Sequence, residues 1–215
     1  MNKMHKLIIA ALFIPLSTWA VDNKNEKCFN FDQSIKDPLK LPPTALAKKD
    51  ISDAGVMKQR GSGFWGLARG QVNYSIQHLY QRLLDHSTIK DAKKAKLKTY
   101  EQERTGYKDF HLLMVTFPTP VMDVKWEEEW AYKLAEGTDE NPKKYVISYQ
   151  KTNGTKYIPH LCGSIVLTST GPQTTDVYLY EEINALGKRS PKDTIQGHLG
   201  TLNTLRKPAS ETKKD

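Results

Sequence analysis

The chain predicts an α+β domain in which a curved antiparallel β-sheet wraps around one long C-terminal α-helix. Three observations carry that expectation. Ser190 to Lys207 forms a single amphipathic segment close to the end of the chain. Most of the sequence from Lys98 to Ile183 breaks into runs with a period of two, divided by turn residues. No internal repeat and no parallel βαβ rhythm interrupts them. A helix with one apolar stripe and strands for neighbours must bury that stripe on a sheet.

Met1 to Ala20 reads as a secretory signal, outside the fold. Lys3 and Lys6 give a basic start, Leu7 to Pro15 an apolar core, and Thr18 and Ala20 small residues before the cleavage point. The apolar run is too short for a bilayer-spanning helix; an uncleaved N-terminal anchor is the alternative. Cleavage removes two lysines and no acids, leaving 195 residues and lowering the net charge from +8 to +6. That length suffices for one domain with a core, and the expected location is periplasmic or secreted. The surplus charge sits in clusters such as Lys93, Lys94 and Lys96. These read as solvated faces or as a transient contact with an anionic membrane surface, and export argues against nucleic acid as a partner.

Val21 to about Arg60 reads as an N-terminal arm or linker, broken by Asp37-Pro38 and Leu41-Pro42-Pro43, with a short helix as an option over Thr44 to Met57. The folded domain is expected over 61–207, with 208–215 as a disordered tail. Phe64 to Asn73 is the first predicted strand, set among Gly61, Gly63, Gly66 and Gly70, which permit bulges and close approach of another backbone. Ser75 then caps a helix whose stripe is Ile76, Leu79, Tyr80, Leu83 and Leu84. After the lysine-rich connection, Lys98 to Arg104 is polar enough for a sheet edge, and His111 to Phe117 is apolar on both faces. Asp123 to Leu134 sets Val124, Trp126, Glu128, Trp130, Tyr132 and Leu134 on one side, with Lys125, Glu127, Glu129 and Lys133 on the other. Lys144 to Lys151 alternates Tyr145, Ile147 and Tyr149 against Lys144, Val146 and Ser148. Asn153-Gly154 predicts a tight turn into a strand over Tyr157 to Thr170, and Gly171-Pro172 a second turn into Gln173 to Ile183. Ser190 and Pro191 then open the last helix, Asp193 suits its dipole, and Ile195, Leu199, Leu202 and Leu205 share one face.

This order of elements resembles the START-related lipid-transfer domains, whose helix-grip fold is shared with the Bet v 1-like group. The resemblance covers roughly Gly61 to Lys207. It is carried by the strand-to-helix passage Val72 to Tyr80, by Val124 to Trp130, and by Thr174 to Glu181 before the closing helix. It implies a cavity between sheet and terminal helix that takes a hydrophobic or lipid-like small molecule. The family has no universal catalytic set, so none is carried over. The export signal and the N-terminal arm depart from the usual setting, which puts family-typical cytoplasmic partners in doubt.

The ligand-binding candidates are Trp126, Glu128, Trp130, Tyr132, Tyr149, Leu199 and Leu202. Glu128 falls on the apolar face, where a carboxylate is costly without a partner. Either it meets a polar spot in a cavity, or a strand bulge turns it to solvent. The aromatic residues either line a pocket or pack as filled core. No metal-binding spacing, phosphate loop, nucleotide fingerprint or nucleophile elbow occurs, so no cofactor or metal is assigned. His160 and Cys162 share a strand face but lack an orienting third group and an oxyanion site. Binding without catalysis is the reading, with a cyclase- or hydrolase-like enzyme on a hydrophobic substrate as the alternative. The chain has two cysteines, and export makes a Cys28–Cys162 disulfide an option beside a buried Cys162 thiol.

Overall fold

The computed structural model describes residues 50–56, 63–89, 94–185 and 190–208. The signal, most of the arm, Cys28 and the tail beyond Pro208 lie outside the described residues. The elements in chain order are β1 (Ile51–Val56), β2 (Phe64–Val72), α1 (Ile76–Leu84), a 3-10 turn (His86–Thr88), β3 (Lys96–Gln102), β4 (Asp109–Phe117), β5 (Val124–Gly137), β6 (Pro142–Gly154), β7 (His160–Gly171), β8 (Thr174–Asn184) and α2 (Pro191–Arg206). All eight strands join one curved antiparallel sheet in the order β1-β2-β8-β7-β6-β5-β4-β3. Lysine-bearing β3 is one edge, as its polarity predicts.

The other edge corrects the sequence reading. Ile51–Val56 is a strand paired with β2, not part of a helix or a linker. Its local pattern is weak, with only Ile51, Ala54 and Val56 apolar at irregular spacing. Tertiary pairing with β2 decides its conformation. The second correction concerns Asn153-Gly154, which does not form the turn between β6 and β7. Both residues remain paired with β5, and the connection follows at 155–159. Gly154 has φ +99, and its amide donates to the Asn153 side chain at 2.7 Å. Positive φ at a glycine therefore marks a distortion within the strand end, not a two-residue loop.

Both helices cover one face of the sheet, the concave one. α1 lies against β6 and β7, where Tyr80 stacks on Tyr145 with centroids 4.1 Å apart. α2 runs along β2 and β1. Glycine spacing on β2 sets that approach: a Cβ on Gly66 would sit 2.6 Å from Thr194, and one on Gly70 would sit 2.6 Å from the Arg206 guanidinium. α2 begins with the Asp193 carboxylate accepting from the Ser190 amide and hydroxyl, both at 2.8 Å. Leu202 and Leu205 are fully buried beneath it, whereas Ile195 and Leu199 are half-buried.

The C-terminal end of α2 is held by two arginines. Arg206 pairs with Asp50 through two contacts of 2.7 and 2.6 Å and also donates to the Gln71 carbonyl. Arg82 reaches across from α1 and donates to the carbonyls of Thr204, Leu205 and Lys207 at 2.8–2.9 Å. A helix end leaves its last carbonyls short of amide partners, and of these three only that of Thr204 also accepts a backbone amide, from Lys207 at 3.2 Å. Arg82→Ala removes the side-chain donors of all three and should cost about 1.5–3 kcal/mol. Faster amide exchange over 202–206 together with a lower denaturant midpoint would confirm it; unchanged exchange there would refute it.

Candidate functional site

The strand registers bring the sequence-predicted residues onto one wall. Trp126, Glu128, Trp130 and Tyr132 come from β5, and Tyr149 from β6 pairs directly with Trp130. Trp130 and Tyr132 are completely buried and Tyr149 nearly so. Leu202 belongs to the same core, while Trp126 and Leu199 are half-buried at its margin. The five sheet candidates therefore lie on the helix-facing side and the two leucines on α2; four of the seven belong to the apolar core, and Glu128 is buried beside it.

Glu128 stays on that face, 0% exposed. Its two oxygens accept from the Trp126 indole at 2.7 Å and the Trp130 indole at 2.9 Å. A bulge does occur beside it, but on β6: Glu128 pairs with Lys151 and Glu127 with Asn153, leaving Thr152 as the extra residue. Of the two alternatives, the one in which a bulge turns Glu128 to solvent is thus excluded, because the partner strand absorbs the irregularity. Glu128→Gln keeps one good acceptor and turns an amide N–H toward the other indole, so we expect about 1–3 kcal/mol of lost stability. Urea unfolding measures it, and a loss below about 0.5 kcal/mol would mean that the indoles find other acceptors.

Behind this pair lies an aromatic stack. Trp130 and Tyr149 are 4.2 Å apart and within 10° of parallel. The Tyr149 phenol donates to Glu181 on β8 at 2.9 Å, crossing over Gly163 on the intervening strand. Burial, with Glu181 beside it, raises the Tyr149 pKa, so the phenol remains a neutral donor. His86 and His111, both buried, approach to 3.1 Å, and His86 meets the Trp130 ring edge-on. Burial pushes His111 below the ordinary histidine range. Tyr80 bonds Asp109, and Tyr132 donates to the Leu83 carbonyl at 3.2 Å. α1 and the 3-10 turn thereby fill the half of the wall nearest the β5–β6 connection.

Several of these residues escaped the sequence reading. Gly163, Glu181 and the histidine pair gave no local signal, since each depends on which strands become neighbours. Lys151 did give one: alternation after Tyr145, Ile147 and Tyr149 puts it on their face.

His160, Cys162 and Glu182 gather on the opposite face of the sheet. The His160 imidazole lies 3.3 Å from Glu182 and 3.6 Å from the Cys162 sulfur. Cys162 is disulfide-bonded, which removes it as a thiolate nucleophile or a metal ligand. Its predicted partner, Cys28, lies outside the described residues. Two open depressions, of about 450 and 740 Å³, sit at the end of the sheet that carries the β5–β6 and β3–β4 connections. Neither is lined by any of the seven predicted residues.

No protein-family profile and no curated protein matches the sequence. Solved structures do resemble it. The human StarD13 lipid transfer and protein localization domain superimposes with a TM-score of 0.52 at 9% identity, over 75% of this chain and 83% of that one. Human STARD10 gives 0.53 at 14% identity, over 78% and 74%. Human StAR-related lipid transfer protein 5 gives 0.51 at 7% identity, over 77% and 84%. With the sheet order and the α2 packing described above, these likenesses establish that the chain has the START/Bet v 1-like helix-grip fold.

Proposed function

We propose that this protein is an exported carrier that binds a hydrophobic or lipid-like small molecule between the concave sheet face and α2. The observation that carries the reading is the wall itself. Trp126, Glu128, Trp130, Tyr132 and Tyr149 share the helix-facing side of the sheet and one core with Leu202 of α2, Leu199 lying at its margin, and α2 has a fixed C-terminal end and a less deeply buried N-terminal half. Two of the similar structures, the StarD13 domain and StAR-related lipid transfer protein 5, are named for lipid transfer, which supports the same class of ligand. Binding works by removing apolar area from water, about 25 cal/mol per Å². Entry requires the N-terminal half of α2 or the β4–β5 loop to move aside. The end of β4 exposes Phe117 and the loop Val121 and Met122, with Val121 91% accessible, and Lys96 and Lys125 lie exposed at the same end of the sheet. This combination suits brief contact with an anionic membrane surface during loading.

Export rests on the signal-like segment Met1 to Ala20. Amino-terminal sequencing of protein from a periplasmic or culture fraction should begin at Val21; a start at Met1 would argue against cleavage. The ligand test is native mass spectrometry of protein purified from a membrane-containing extract, followed by organic extraction. A reproducible hydrophobic adduct released on unfolding is the expected result. A clean apo mass that persists after incubation with lipids would overturn the carrier reading.

A further inference from the structure

Both helices pack on the concave side, so the outer, convex face of the sheet should be wet. Its middle is dry. Leu67 on β2, Ser164 on β7 and Ser148 on β6 share one row across the strands and are all buried, with Val146, Tyr178 and Cys162 buried beside them. Tyr178 is the most telling of these. A side chain stands nearly upright from a strand, yet this tyrosine is 6% exposed and its hydroxyl, the point farthest from the sheet, is shielded from water. Neighbouring side chains on a convex face splay apart and cannot roof it. The β3–β4 connection covers only the far end, where Arg104 lies 4.8 Å over Phe110 and pairs with Glu129. The other connections leave from the strand ends, and among the described residues no helix or strand crosses the middle of this face.

We propose that the chain's own segment 21–49 covers this face, strapped down by a Cys28–Cys162 disulfide. Cys162 is disulfide-bonded, and Cys28 is the only other cysteine in the sequence. The bond is anchored on β7, beside the dry band. The segment ends at Asp50, which Arg206 fixes at the start of β1, three strands away from β7. Asp50 follows Cys28 by 22 residues. Such a length reaches about 70 Å when extended, against about 15 Å from β1 to β7, so the strap has ample slack to cross the band. Phe29 and Phe31, next to the cystine in sequence, supply apolar surface to replace water over Tyr178 and Val146. The domain then has three layers, helices, sheet and strap, and its fold begins well before β1. This holds whatever the inner wall binds.

The test is a non-reducing peptide map of the protein beginning at Val21, followed by hydroxyl-radical footprinting of wild type and the triple variant C28S/F29S/F31S. The map should join Cys28 to Cys162 within a monomer. A disulfide-linked dimer would make a second copy the occupant, and free thiols would remove the tether; either result overturns the proposal. In wild type, with rates corrected for intrinsic reactivity, Phe29, Phe31 and Tyr178 should be oxidised severalfold more slowly than Tyr157, which is 42% exposed. Phe29 and Phe31 reacting as freely as Tyr157 would overturn the proposal without any variant. In the triple variant Tyr178 should become severalfold more reactive while Trp130, inside the other face, stays protected. Continued protection of both would mean that something other than this segment covers the face, and would overturn the assignment. If Trp130 opens as well, the variant has unfolded and the wild-type pattern decides.

Discussion

Trp130→Ala should destabilise the domain by about 4 kcal/mol, lowering the melting temperature by roughly 10 °C or more. Three losses combine. The indole is completely buried, so truncation leaves a cavity in a wall whose neighbours are themselves locked by hydrogen bonds. It forfeits the parallel stack on Tyr149 and the edge contact with His86 at 4.7 Å, the stack alone being worth about 0.5–1.5 kcal/mol. It also removes the N–H that holds one oxygen of Glu128. Trp130→Phe retains most of the packing and loses the donor, so it should cost about half as much or less. Urea unfolding of both variants separates the contributions. A Trp130→Ala loss below about 1.5 kcal/mol would show that this part of the wall borders open space, because only a loosely packed site tolerates that truncation.

Alternation predicted this wall because β5 is long and keeps its parity through the bulge. The bulge falls on β6 at Thr152, so Trp126, Glu128 and Trp130 keep the side that their spacing assigns. α1 and α2 were legible for a similar reason: each begins at a serine N-cap and carries its stripe at helical spacing. What local sequence could not disclose depends on neighbours. β1 is a strand because β2 offers it an edge and Arg206 fixes Asp50 at its start. Asn153-Gly154 resembles a hairpin turn, but β5 extends far enough to keep pairing with it. Arg82 looks like a surface cation on α1, and its role appears only when the end of α2 arrives beside it.

Gly163→Ala should prove nearly as damaging as the loss of Trp130, at about 3 kcal/mol or more, although it adds a single methyl group. Gly163 separates Tyr149 on β6 from Glu181 on β8, and the phenol passes directly over it. A Cβ at that position would overlap the end of the Tyr149 ring and the Tyr180 carbonyl. The ring cannot retreat easily, because Trp130 is stacked on it and Glu181 holds its hydroxyl. The carbonyl belongs to the ladder and is still less free to move. Tyr149→Leu clears the ring but not the carbonyl, so in the Gly163→Ala background it should recover only part of the loss. The double mutant should therefore be more stable than the sum of the single losses predicts, by about 1 kcal/mol or more. Strict additivity would mean that the alanine is accommodated by a shift of β8 alone, and the Tyr149–Glu181 bond would then not depend on a glycine beneath it.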